Sequence, residues 1–200
     1  AEKGYIVFAP QNPYIGETRF RQLCQRGWPL GLSLWSVIVR QHETILAWLK
    51  SQPSVDPARI AFYGLSYGGK SAMRLPALLP DYCLSICSAD YNEWIWKTVD
   101  AASPYCYLHT VEYDMVEWNL GNTFNYAELS WLIFPRPFMV ERGHDDGVSC
   151  DEWVAYEFAR TRRHYSKLGL ADRTDIEFFN GPHTINGQGT FRFLDRWLQK

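Results

Sequence analysis

Residues 59–71, RIAFYGLSYGGKS, constrain the fold more than any other stretch of the chain. Ile60, Ala61, Phe62 and Tyr63 read as a buried strand, Gly64-Leu65-Ser66-Tyr67-Gly68 as a tight turn, and Gly69 as the opening of a helix. A Gly-x-Ser-x-Gly turn between strand and helix lifts a serine hydroxyl above a sheet edge, where it is exposed and aimed. A serine is a weak nucleophile until it is also paired with a base. The small residues two before and two after Ser66 let strand and helix pass close together, and the Tyr67 N–H points toward the place where an oxyanion would form. The bare five-residue pattern arises by chance in roughly one chain in fifteen of this length. Its specificity comes from the strand before it and the Gly-Gly after it. The competing reading is a glycine-rich turn that binds phosphate or nothing, and no G-x-x-x-x-G-K-[ST] spacing favours phosphate.

Other segments repeat the alternation of strand and helix. The apolar run at residues 5–10 predicts a strand buried on both faces of a parallel sheet, followed by a polar loop over 11–29. Leu34, Trp35, Ile38, Val39, His42, Ile45, Leu46 and Leu49 recur at helical spacing within 31–50 and make one apolar face, with His42 as a packing histidine. Residues 70–79 continue the helix after the turn, with Pro76 expected to kink it or end it early. Residues 84–89 and 138–141 predict strands, 151–168 an amphipathic helix, 174–179 a last strand and 189–198 a closing helix. Residues 91–131 are dense in Trp and Tyr and read as helical excursions above the sheet. The expected fold is α/β, a mostly parallel sheet flanked by helices, in one domain over residues 1–200.

Hydrophobic residues make up 46% and charged residues 21% of the chain, ordinary values for a globular protein. A net charge of −2 and the lack of long basic runs argue against nucleic acid or an anionic membrane as partner. Five scattered cysteines without C-x-x-C spacing argue against zinc and against a disulfide framework, and no cofactor is expected. No apolar run has the length of a transmembrane helix. The first residues carry no basic-then-apolar leader. The chain begins at Ala1 without Met, which leaves a processed or truncated start, and the compartment, open.

In a parallel sheet the reactive groups gather beyond the carboxyl ends of the strands. Ser66, the Asp145/Asp146 pair and His183 follow three such ends, in the order Ser, Asp, His. In that arrangement Ser66 attacks, His183 takes and returns its proton, and the aspartate orients the imidazole. His109 and His164 fit less well, one in the irregular region and one inside a helix, and His144 follows the wrong strand.

The blocks GYIVFAP, DPARIAFYGLSYGGKSAMRL, FMVERGHDDGV and FFNGPH resemble the later part of an α/β-hydrolase domain. The resemblance is to the serine branch near dienelactone hydrolases, acetyl xylan esterase-like proteins and prolyl-oligopeptidase-type domains. It implies a triad of Ser66, His183 and Asp146, with Asp145 as the alternative acid, and an oxyanion donor at Tyr67 N–H. It also implies a cap-like insertion over 91–131, where Trp94, Trp96 and Trp118 either face sugar rings or an acyl chain or pack the insertion. The strands that normally precede GYIVFAP, and the HGGG-like loop that supplies a second oxyanion N–H, have no counterpart in these residues. This reads as an N-terminally incomplete domain, whose exposed sheet edge favours pairing with another copy.

The first expectation is an esterase acting on a small-molecule or carbohydrate ester through an acyl-Ser66 intermediate. Dienelactone hydrolysis itself is not expected, because that branch uses cysteine where Ser66 stands. The alternatives are a prolyl-oligopeptidase-like peptidase, which shares the GLSYGG turn, and a non-catalytic module or inactive fragment.

Overall fold

The computed structural model describes residues 1–15, 18–110 and 117–198, and the chain divides into two units, Ala1–Arg59 and Ile60–Lys200.

In the first unit, helix α1 (Arg19–Gly27) falls in the stretch expected to be loop, and Phe20 and Cys24, one turn apart, are its buried residues. Two apolar positions are too few to stand out as a periodic face. Helix α2 (Leu34–Lys50) begins with a reciprocal cap: the Ser33 hydroxyl accepts from Trp35 N–H at 3.2 Å and Ser36 Oγ accepts from Ser33 N–H at 3.3 Å. Its buried stripe is Leu34, Trp35, Ile38, His42, Leu46 and Leu49. Burial pushes the His42 imidazole down to about 4, so it packs as a neutral ring. Residues 5–10 are not a strand. Ile6 and Val7 are about two-thirds exposed and the segment pairs in no ladder. Phe8 packs its ring on Trp48 at 5.4 Å instead. An unbroken apolar run records a tendency toward burial; a strand also needs a neighbour with free N–H and C=O groups.

The second unit is built on a parallel sheet in the order β1 (Ala61–Leu65), β2 (Leu84–Ser88), β3 (Phe138–Gly143), β4 (Thr174–Phe179). Helix α3 (Tyr67–Leu78) joins β1 to β2 and α6 (Asp151–Lys167) joins β3 to β4, while α7 (Gln188–Leu198) follows β4. Every residue of β2 and β3 is buried, as in a parallel sheet covered on both faces, and the polar ones among them, such as Ser88 and Glu141, hydrogen-bond to each other. Pro76 lies inside α3 without ending it. Proline offers no N–H to the Ala72 carbonyl one turn back, and the Ser85 hydroxyl donates to that carbonyl at 2.6 Å.

Between β2 and β3, the described part of residues 91–131 contains two short α-helices, α4 (Trp94–Val99) and α5 (Tyr126–Trp131), and single 3₁₀ turns at Tyr107–His109 and Leu120–Asn122. Asn125 pins them together. Its Oδ1 accepts from Trp94 N–H at 2.7 Å and from Tyr126 N–H at 2.9 Å. Tyr91, Trp94, Tyr107 and Tyr126 from this region share one core with Met73, Phe138 and Phe158, which accounts for much of the aromatic content. Each such ring buries on the order of 150–250 Å², so the insertion is held by the same core as the sheet.

Candidate active site

The turn after β1 places Ser66 at φ 59°, ψ −118°, a backbone conformation that L-residues rarely adopt. It is held there by the Ser66 N–H donating to Ser88 O at 2.9 Å and by Lys70 N–H donating to Ser66 O at 2.9 Å. Glycine is required at Gly64, where a Cβ would lie 2.2 Å from Gly68 O, and at Gly69, where it would lie 2.4 Å from Ser88 O. A Cβ on Gly68 would meet nothing within 4 Å. Gly68 thus supplies the backbone that Gly64 passes closely, while the helix residue whose own side-chain position is blocked is Gly69, one residue later. Tyr67 is the first residue of α3, at the positive end of the helix dipole.

Two strands across, β3 ends at Gly143 and β4 at Phe179. The loops that follow cross closely: a Cβ on Gly143 would lie 2.4 Å from Gly181 O and 2.5 Å from Pro182 O. His144 N–H and Asp145 N–H extend the pairing to Phe179 O and Gly181 O at 2.9 and 3.0 Å. This crossing brings the half-buried His183 over Asp146, with His183 Nδ1 2.9 Å from Asp146 Oδ2. Asp145 lies exposed beside them.

Asp146 is fully buried and braced from several sides. Val148 N–H donates to its Oδ1 at 3.0 Å, and Arg142 Nη1 lies 3.3 Å from Oδ2. Burial would raise its carboxyl, but the His183 and Val148 hydrogen bonds and the charges of His183 and Arg142 outweigh this and hold it below the usual range. Arg142 is buried too, and donates to Asp151 Oδ1 and to the Asp146 and Ser149 carbonyls. His183 is shifted upward, chiefly by its hydrogen bond to Asp146. Burial opposes this shift, Asp146 and Asp90 add to it by charge, and Lys97 detracts.

The segment beyond His183 is tied to a buried carboxylate in the middle of the sheet. Glu141 Oε1 accepts from Asn186 N–H at 3.2 Å and Gly187 N–H at 2.9 Å. Its Oε2 accepts from Ser88 Oγ at 2.6 Å and Tyr63 Oη at 3.0 Å. One side chain therefore links β1, β2 and β3 to the chain that follows the imidazole.

Sequence reasoning missed Asp90 and Lys70. Asp90 lies two residues beyond β2, after Ala89 at φ 56°, and accepts from Tyr126 Oη at 2.6 Å. The rule that reactive groups follow strand ends, applied to β2 as to its neighbours, would have marked it. Lys70, four residues after Ser66, is fully buried with Nζ 3.0 Å from Tyr107 Oη and over the Trp94 and Tyr107 rings at 4.9 and 4.6 Å. Burial lowers its ammonium to about 8, with Asp90 the main opposing charge. No local signal marks this lysine, because the rings that cover it come from the insertion. The remaining histidines stand apart. His144 pairs with Asp151 at 2.5 Å, His164 stacks on Trp131, and His109 Nε2 is 2.7 Å from Ala101 O. Of the three tryptophans expected to line a cleft or pack the insertion, Trp94 is core, Trp96 is half exposed and Trp118 is almost wholly exposed.

No family model matches the chain. It is 25% identical over 205 residues to "Putative hydrolase YtaP" of Bacillus subtilis (strain 168), covering 98% of this chain and 66% of that protein. Among solved structures it is similar to a carbohydrate esterase family 15 glucuronoyl esterase from Caldicellulosiruptor kristjansonii. That match has a TM-score of 0.65 and 20% identity, over 80% of this chain and 49% of the other. The chain has an α/β-hydrolase fold. The match to the glucuronoyl esterase of Sporotrichum thermophile (TM-score 0.62, 18% identity) covers 83% of this chain and 51% of the other. For the Pyrococcus furiosus esterase Pf2001 (TM-score 0.56, 17% identity) the shares are 80% and 62%. The chain thus spans about half to two-thirds of the length of these relatives.

Proposed function

We propose that the protein is a serine hydrolase that cleaves a carboxylic ester of a small molecule or carbohydrate. The observation that carries this reading is the strained Ser66 turn on the same carboxyl edge as the His183–Asp146 hydrogen bond. The similarity to esterases of the same fold supports the ester over the peptide.

In this reading Ser66 Oγ attacks the ester carbonyl carbon while its proton passes to the other ring nitrogen of His183, Nε2. Asp146 holds the Nδ1–H tautomer and stabilises the imidazolium that forms. The oxyanion develops toward the Tyr67 N–H at the start of α3, where backbone donor and helix dipole both favour negative charge. Collapse breaks the carbon–oxygen bond to the alcohol, which leaves with the proton from His183. Water then attacks the acyl-Ser66 by the same route in reverse and releases the acid. Residues 91–131 would act as the cap over this edge.

Hydrolysis of p-nitrophenyl acetate by the wild type beside Ser66→Ala tests the reading. The substitution is expected to reduce kcat by roughly 10⁵–10⁶-fold. Equal rates in the two proteins, or a folded wild type with no rate above buffer, would contradict it.

A further inference from the structure

Helix α4 has two faces with different surroundings. Trp94 and Lys97 turn inward: Trp94 packs beside Lys70, and Lys97 Nζ donates to Val148 O, two residues from Asp146. Trp96 turns the other way, into an open cleft of about 740 Å³ between α4, the 121–125 segment and α6. That volume is within the ~300–1,000 Å³ typical of ligand sites. Its aromatic lining comes from Trp96, Phe124, Trp153 and Tyr156, and Trp96 and Tyr156 remain 55% and 61% exposed. Aromatic rings beside a few placed polar groups are the lining that ligand clefts use.

The polar lining is rigid. Glu93 accepts from Asn125 Nδ2 and from Trp96 N–H, and Glu128 accepts from Asn125 N–H at 3.0 Å. Arg160 bridges Glu128 and the buried Glu157, and its guanidinium lies 5.9 Å from the Tyr156 ring. Carboxylate oxygens fixed in this way keep lone pairs for hydroxyl donors, while flat rings suit the C–H faces of pyranoses. Two carboxylates against one guanidinium leave the cleft lining with an excess of negative charge.

We propose that this cleft is a subsite for an uncharged oligosaccharide segment, separated from the loop that carries Asp146 by the thickness of α4. As a substrate-positioning site it rests on the ester-hydrolase reading above, and it specifies that the substrate is a glycan ester whose neighbouring sugars carry no acid. Rings of Trp96 and Tyr156 supply the stacking platforms, and the Glu93 and Glu128 carboxylates accept from sugar hydroxyls.

Titration calorimetry with xylohexaose, cellohexaose and hexagalacturonate tests this without turnover, since none of the three contains an ester. Wild type is expected to bind at least one of the neutral hexaoses and to bind the galacturonate more weakly. Trp96→Ala and Tyr156→Ala, both at exposed positions, should each weaken that binding about tenfold. Their p-nitrophenyl acetate hydrolysis should stay within roughly twofold of wild type, the sites being separate. Absence of binding of both neutral hexaoses overturns the proposal, as does equal binding by the variants or preference for the galacturonate. Ester hydrolysis without hexaose binding would refute the subsite alone; hexaose binding without ester hydrolysis would refute the catalytic reading alone.

Discussion

The carboxyl edge of the sheet and the cleft beyond α4 both gather charged and aromatic side chains, but they treat them differently. At the edge Asp146 and Arg142 are buried and cross-braced: Asp146 meets His183, Val148 and Arg142, and Arg142 in turn meets Asp151 and two carbonyls. In the cleft the carboxylates are braced to Asn125 and Arg160, while Trp96 and Tyr156 stay more than half exposed. The first arrangement fixes atoms before a substrate arrives, as chemistry requires. The second offers area, and its rings can be removed without leaving a buried charge unpaired. Preorganisation and accessibility are thus divided between two places that share one short helix.

The sharpest way to break this contrast is at Asp146. Asp146→Asn is expected to lower kcat for p-nitrophenyl acetate by roughly 10⁴-fold, because the amide no longer holds the imidazole tautomer or its charge. Removing the carboxylate also takes away one of the two anionic neighbours of buried Arg142, which keeps Asp151, so thermal unfolding should show a loss of about 1–3 kcal/mol. A mild effect on both would mean that the edge is no more braced than the cleft.

The two glycines of the serine turn sharpen the comparison at the level of packing. Gly64→Ala forces a methyl against Gly68 O and should cost about 1–3 kcal/mol or more in chemical denaturation. Gly68→Ala meets open space within a helix and should be neutral or stabilising by up to ~1 kcal/mol. Equal effects would show that the turn is looser than its geometry implies.

A smaller effect lies in the pH profile. In the proposed mechanism His183 must be neutral to act as base, and its imidazole is shifted above 6.5, so kcat/KM should rise with pH through a midpoint above that value. Asp90→Asn removes an anion that favours the imidazolium and should move the midpoint down; Lys97→Met removes an opposing cation and should move it up. A midpoint unmoved by either would place both charges outside the electrostatics of the base. Asp145→Asn, at an exposed position on the same loop, should change kcat/KM by no more than roughly twofold.

Much of the edge was legible because local chemistry dictates it. The strand–turn–helix around Ser66 needs small residues where backbones cross, and the short segments 84–89 and 138–141 read as the strands that become β2 and β3. The Asp145/Asp146 pair and His183 stood out as polar groups placed just beyond two strand ends, and of the pair the structure brings Asp146 within hydrogen-bonding distance of His183. Other features depend on partners distant in sequence. Lys70 reads as a helix-surface lysine until Trp94 and Tyr107 fold over it. Residues 5–10 carry the apolar content of a strand but no ladder partner. In residues 91–131, Trp94 and Trp96 are two positions apart on one helix, yet one is core and the other lines the cleft. A six-residue helix is too short to show that periodicity, and residues 111–116 of the insertion lie outside the described structure.

The central claim is that Ser66 is an activated nucleophile served by His183. Labelling with a fluorophosphonate probe, read by intact mass and peptide mapping, tests it most directly. The account predicts one adduct on wild type, mapped to Ser66, no adduct on Ser66→Ala, and greatly slowed labelling of a folded His183→Ala. A folded wild type that takes no label, or a label on any residue other than Ser66, would contradict it.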